Sequence, residues 1–207
     1  MEVKGGKENI GYVLLFEAIG TANLLYAINT SASDAGHLQP FAIGLTIFGN
    51  ICIMGEVSGG HFNPAVTLGV LIAEGRQNFV SNIPYAIAII CAQLVGATAG
   101  CLSTMYSQYY LPNKGIYTPL QPGIAALKPN SPNPTLKRGM LQSLWSEMIL
   151  TCFFVSVILS AKYLNGAKDL FLNALVIGLT LFCCVTIGGD VSGGCYNPAV
   201  GLVQIIF

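Results

Sequence analysis

Ten residues of this chain are written twice. Val57-Ser58-Gly59-Gly60-His61-Phe62-Asn63-Pro64-Ala65-Val66 returns as Val191-Ser192-Gly193-Gly194-Cys195-Tyr196-Asn197-Pro198-Ala199-Val200, an offset of 134 residues from Asn63 to Asn197. At the same offset Ile43-Gly44-Leu45-Thr46 returns as Ile177-Gly178-Leu179-Thr180, and Glu56 as Asp190. Further upstream Glu17-Ala18-Ile19-Gly20-Thr21 is matched by Glu147-Met148-Ile149-Leu150-Thr151. Each half therefore opens on Glu-x-x-x-Thr and closes on Asn-Pro-Ala. A duplication of this extent obliges the fold to build one unit twice.

Composition decides the solvent. Of 207 residues 53% are hydrophobic and only 9% charged, and the mean hydropathy is +0.64. That leaves too little polar surface for a water-soluble globule and points to an integral, multi-pass membrane protein in a lipid bilayer. Net charge is zero and the nine basic residues are scattered, so nothing electrostatic points to nucleic acid. The seven cysteines form neither a CxxC pair nor a secreted disulfide spacing, and read as small buried apolar groups. No metal-ligand cluster, nucleophile with a base, or phosphate loop stands out, so the reading is not an enzyme and implies no cofactor. The polar start, residues 1 to 9, lacks a cleavage site, so the first apolar run reads as a retained span.

In chain order, apolar segments at residues 10–28, 40–54, 83–106, 139–163 and 170–187 read as five spans, the first of them long enough by itself to cross a hydrocarbon core that needs about 20 residues. Residues 29–39 read as a polar break. After each Asn-Pro-Ala only about ten residues follow, roughly 15 Å of helix or half a bilayer, which predicts two re-entrant half-helices. Six prolines between residues 107 and 137 predict a connector outside the membrane. The expected organisation is a first repeat over residues 1–137, with three spans and a half-helix, and a second over 138–207, with two spans and a half-helix. No sixth span follows within the 207 residues. Three spans in the first half make the second enter from the opposite face, an inverted repeat. Positive charge orients it weakly: Lys4, Lys7, Arg76, Lys162 and Lys168 fall on one expected side, Lys114, Lys128, Lys137 and Arg138 on the other.

Non-helical backbone at membrane depth is tolerated only where protein buries it or it lines a wet cavity. The duplicated glycines permit the turn, Asn is a favoured N-cap, and Pro fits the first helical turn. Two such helix starts meeting near the midplane present their positive dipole ends and their Asn amides to whatever passes.

These boxes, the Ser-Gly-Gly-His before the first, the Glu-x-x-x-Thr openings and Ala92-Gln93-x-x-Gly96-Ala97 together resemble the aquaporin family, also called major intrinsic proteins. The resemblance covers nearly the whole chain. It implies an all-α membrane fold of six spans and two half-helices (Asn63-Pro64-Ala65 and Asn197-Pro198-Ala199) around one pore per subunit, usually a homotetramer. It also implies a passive channel for water or small neutral solutes. The family's constriction positions correspond to Ile43, Val185, Gly194 and Val200. Val200 stands where the family usually has Arg, and Val185 where water-selective members have His, so the constriction is expected to be apolar, uncharged and comparatively wide. Some plant vacuolar members resemble this chain in carrying Asn-Pro-Ala-Val. The Asp that tends to mark the glycerol branch is absent, its place taken by Gly201. Glycerol, urea and ammonia thus stand beside water as candidate cargo.

By the same resemblance Glu17 and Glu147 accept hydrogen bonds from the re-entrant loops, a supporting role preferred over solute contact; charge inside a span is costly without such use. Glu56 and Asp190 either face water or line a vestibule. His61 reads as a brace for its loop, with pH sensing at a pore mouth as the alternative. Cys195 is a candidate pore thiol. The competing function is a non-conducting structural subunit of a membrane complex, suggested by the missing sixth span and the lost Arg.

Overall fold

The computed structural model describes residues 9–34, 38–109, 136–164 and 169–206. Regular structure among them is helical throughout: α1 Ile10–Asp34, α2 Gln39–Ser58, α3 Pro64–Ala73, α4 Arg76–Tyr109, α5 Leu136–Leu159 continued by a π-helical turn Ser160–Leu164, α6 Leu170–Ser192, and α7 Pro198–Ile206. Five of these are long and apolar enough to cross a membrane. Most of the proline-rich connector, at residues 110–135, lies outside the described residues, as do Lys4, Lys7, Lys114, Lys128 and Lys168 and the side chains of Arg76, Lys137 and Arg138.

Both half-helices run where the motif spacing puts them, but the full helices outrun their apolar segments. The expected break after residue 28 is still helix to Asp34. There the Thr30 hydroxyl turns back on the Tyr26 carbonyl at 2.7 Å, and Asn29 is buried rather than ending the helix. Helices α2 and α6 continue through Glu56 and Asp190 until Gly59 and Gly193, in the left-handed region at φ 89° and 93°, return their N–H groups to Gly55 and Gly189. This αL cap is what the glycine provides. Helix α4 starts at Arg76 and carries Pro84 inside it.

The molecule is inside out. Ile53, Val80 and Leu164 are at least 75% exposed, whereas Glu17, Thr21, Gln93 and Gln204 are wholly buried. That distribution suits lipid outside and a polar interior. Helices cross closely where the duplicated glycines meet: a Cβ on Gly44 would stand 2.6 Å from the Gly178 carbonyl oxygen, and one on Gly178 2.7 Å from that of Gly44. The repeated Ile-Gly-Leu-Thr thus packs against its own copy at the α2–α6 crossing. In the α1–α4 contact Gly96 lies against the Ala18 carbonyl and Gly100 against that of Ala22, the small-residue packing that membrane helices use.

Candidate functional site

Each Gly-Gly turn is followed by an aromatic residue in the left-handed region, Phe62 and Tyr196, both at φ 48°. For a bulky residue this conformation is strained and persists only when its surroundings impose it. The surroundings are glycines: Phe62 fills the space a side chain at Gly20 would occupy, and Tyr196 does the same at Gly188, donating its hydroxyl to the Cys184 carbonyl at 2.9 Å.

The two acids hold the loops above these rings. Glu17, wholly buried, accepts from the backbone N–H of His61 at 2.9 Å and of Phe62 at 2.7 Å, and from Gln93 Nε2 at 2.8 Å. Glu147 accepts from the N–H of Cys195 at 3.0 Å and of Tyr196 at 2.9 Å, and from the Ser192 hydroxyl at 2.6 Å. Backbone N–H groups at membrane depth that lack helical partners thereby find charged acceptors, the strong form of hydrogen bond. Glu147 is only half-buried, and no described residue gives it the counterpart of Gln93.

Held this way, the half-helices meet start to start. Asn63 Oδ1 accepts from the Ala65 N–H at 2.8 Å, and Asn197 Oδ1 from that of Ala199 at 3.1 Å, so each asparagine caps its own helix. Each then crosses to the other loop: Asn63 Nδ2 donates to the Tyr196 carbonyl at 2.8 Å, and Asn197 Nδ2 to the Phe62 carbonyl at 2.9 Å. A side-chain amide has two N–H donors. One is committed to the crossing, which leaves one per asparagine for the lumen.

Both asparagines line a cavity of about 450 Å³. All four residues expected at the constriction, Ile43, Val185, Gly194 and Val200, line it as well, together with His61, Cys195, Asp190 and Gln204. Ile43, Val185 and Val200 offer only hydrocarbon side chains. Cys195 is half-buried with Sγ 3.1 Å from the Asn197 carbonyl oxygen. Of the acid pair, Asp190 lines the cavity and Glu56 is exposed elsewhere. Among the described residues no group of three or more His, Cys, Asp or Glu side chains is placed to hold a metal ion.

Three participants have no mark in the motif. Thr67 accepts from Gln93 Nε2 at 3.0 Å, contacts His61 Nδ1 at 3.2 Å and donates to the Asn63 carbonyl at 3.1 Å. Its only signal is its place one helical turn after Asn63. Gln204 Nε2 donates to Asn29 Oδ1 at 2.6 Å in the interior, and Gln204 Oε1 and Asn29 Nδ2 have no partner among the described residues. Lys162, in the π-helical turn, reaches His61 with Nζ 3.4 Å from Nε2.

With this geometry in place, comparison with known proteins is direct. The sequence model of the family described as Major intrinsic protein matches residues 8–207. The chain is 30% identical over 192 residues to Aquaporin TIP2-1 of Arabidopsis thaliana, covering 90% of this chain and 68% of that protein. It is 28% identical over 188 residues to Aquaporin-8 of Notomys alexis, covering 88% and 66%. The chain spans about two thirds of the length of such relatives. Among solved structures, the aquaglyceroporin from Plasmodium falciparum superposes with a TM-score of 0.73 at 22% identity, over 95% of this chain and 80% of that one; at that identity the likeness speaks for the fold.

Proposed function

The chain belongs to the major intrinsic protein family and is an integral membrane protein, and from that premise we propose that it is a passive channel for water and small neutral solutes. One observation carries the reading. A single cavity is lined by both capping asparagines and by the four apolar or glycine positions Ile43, Val185, Gly194 and Val200. A solute there meets two amide donors backed by the positive ends of α3 and α7, which favour a neutral acceptor and oppose a cation. At the four other positions it meets no charge and no side-chain donor. Such a passage discriminates by size and by the cost of dehydrating charge, so urea, glycerol and ammonia accompany water. Residues 1–137 and 138–207 act as two inverted halves of one pore, and the exposed apolar faces suit assembly as a homotetramer in the bilayer. A non-conducting structural role is disfavoured by the cavity, since a purely structural subunit has no use for one across both asparagines.

Cys195 provides the test. Proteoliposomes of the protein should shrink in hyperosmotic buffer several-fold faster than empty vesicles, and a small thiol reagent should remove more than half of that excess, while Cys195→Ser should no longer respond. The serine variant isolates this thiol from the exposed Cys91, Cys152 and Cys183. Flux unchanged after complete labelling of Cys195, verified by mass spectrometry, would contradict the placement.

A further inference from the structure

The cation missing from one end of the cavity has a counterpart at the other. Ile43 and Ser58 lie fifteen residues apart on α2, about 22 Å along its axis. His61, just past Ser58, is therefore toward the opposite end of the passage from the Ile43 constriction, and it lines the same cavity. Immediately behind it the π-helical turn Ser160–Leu164 interrupts the α-helical register at the end of α5. Such a turn re-aims side chains that a regular helix would carry past their target. Here it buries Ala161 and brings Lys162 Nζ to 3.4 Å from His61 Nε2, 5.9 Å from the centre of the Tyr163 ring.

With Lys162 charged, its ammonium group only donates, so His61 Nε2 accepts and the ring is neutral. Its proton is then on Nδ1, donated to Thr67 Oγ1 at 3.2 Å, and the Thr67 hydroxyl donates onward to the Asn63 carbonyl at 3.1 Å. Lys162 is thus tied to the capped start of α3 through three hydrogen bonds. Its charge is not cancelled by contact: among the described residues it pairs with no carboxylate, and Glu74 and Glu17 act on it only from a distance. Glu17 is already engaged by three donors.

We propose that Lys162 is a specificity-determining residue, a cation barrier at the His61 end of the pore that adds to the opposition of the α3 and α7 dipoles the side-chain charge that Val200 lacks. This rests on the channel reading above. Lys162 is exposed and is not itself part of the cavity lining; its charge, carried against the lining residue His61, repels monovalent cations before they reach the asparagines and passes neutral solutes. The class it discriminates is small planar organic cations against their neutral isosteres, since an apolar constriction that admits urea by size admits guanidinium by size too.

The test compares urea and guanidinium, each at millimolar concentration, with water flux measured in the same proteoliposomes. The unaltered protein should pass water and urea and exclude guanidinium. Lys162→Gln and Lys162→Met should raise the guanidinium-to-urea flux ratio at least tenfold, each flux being normalised to the water flux of the same variant, and Lys162→Arg should keep the exclusion. An unchanged ratio in Lys162→Gln and Lys162→Met, whether water flux is normal or lost, overturns the barrier and leaves Lys162 a brace. Water and urea flux of the unaltered protein equal to empty vesicles overturns the channel reading itself, and the barrier with it.

Discussion

Glu17→Ala is expected to lower the melting temperature of the detergent-solubilised protein by roughly 10 °C or more and to abolish water flux. The carboxylate satisfies His61 N–H, Phe62 N–H and Gln93 Nε2 at once, in a position with no solvent exposure. Removing it orphans the His61 and Phe62 N–H groups and leaves Gln93 Nε2 with Thr67 Oγ1 as its one remaining acceptor among the described residues. Each buried unsatisfied donor costs about 1–3 kcal/mol, so a total on the order of 4 kcal/mol stands against a typical stability of about 5–15 kcal/mol. For a chain of this size each kcal/mol moves the midpoint by roughly 2–4 °C. The loop would also lose the restraint that keeps Phe62 in its strained conformation, and with it the carbonyl that Asn197 reaches. Glu147→Ala should do less, because Glu147 is half-buried and the donors it would leave are not sealed as deeply as those of Glu17. A fluorescence melt of both variants checks the ordering, and a Glu17→Ala protein melting within 2–3 °C of the parent, roughly 1 kcal/mol, would remove Glu17 from the account.

The second large effect is on selectivity. Val200→Arg should cut urea flux at least tenfold, about 1.4 kcal/mol on the barrier, and water flux by much less. Val200 is 1% exposed and sits in the first turn of α7, lining the cavity with Ile43 and Val185. A guanidinium there occupies space that now is open and adds five donors and a charge to an apolar ring. The charge would not be stranded, since Gln204 follows one helical turn later and its Oε1 has no present partner among the described residues. Parallel shrinkage and urea re-swelling traces measure both fluxes, and equal fractional losses would mean that Val200 does not border the path of urea.

Much of the fold was legible because the chain states it twice. The 134-residue offset pairs Phe62 with Tyr196 and Asn63 with Asn197 before any coordinate is known, and the half-helix limits follow from Pro on one side and a short apolar run on the other. Helix limits elsewhere were not legible from hydropathy. In α1, α2 and α6 the helix runs on past the last apolar residue, since a polar side chain ends burial in lipid without ending backbone hydrogen bonding. Buried glycines were only partly legible: Gly96 and Gly100 stand out in a small-residue cluster, but Gly20 and Gly188 have no local sign that an aromatic ring lies against them. Lys162 was least legible. In the sequence it counts as one more basic residue for orienting the chain, and its approach to His61 depends on a π-helical turn that no residue pattern announces. The same holds for Gln204 and Asn29, which are 175 residues apart and bonded.

If the cavity between the two asparagines is a conducting path with a wide apolar constriction, water and urea both cross the membrane through it. Stopped-flow light scattering on proteoliposomes, first against an impermeant osmolyte and then against urea, tests it most directly. Shrinkage several-fold faster than in empty vesicles is expected in the first case, and rapid re-swelling as urea enters in the second. Water and urea rates indistinguishable from empty vesicles, with the protein shown to be folded and inserted, would contradict it.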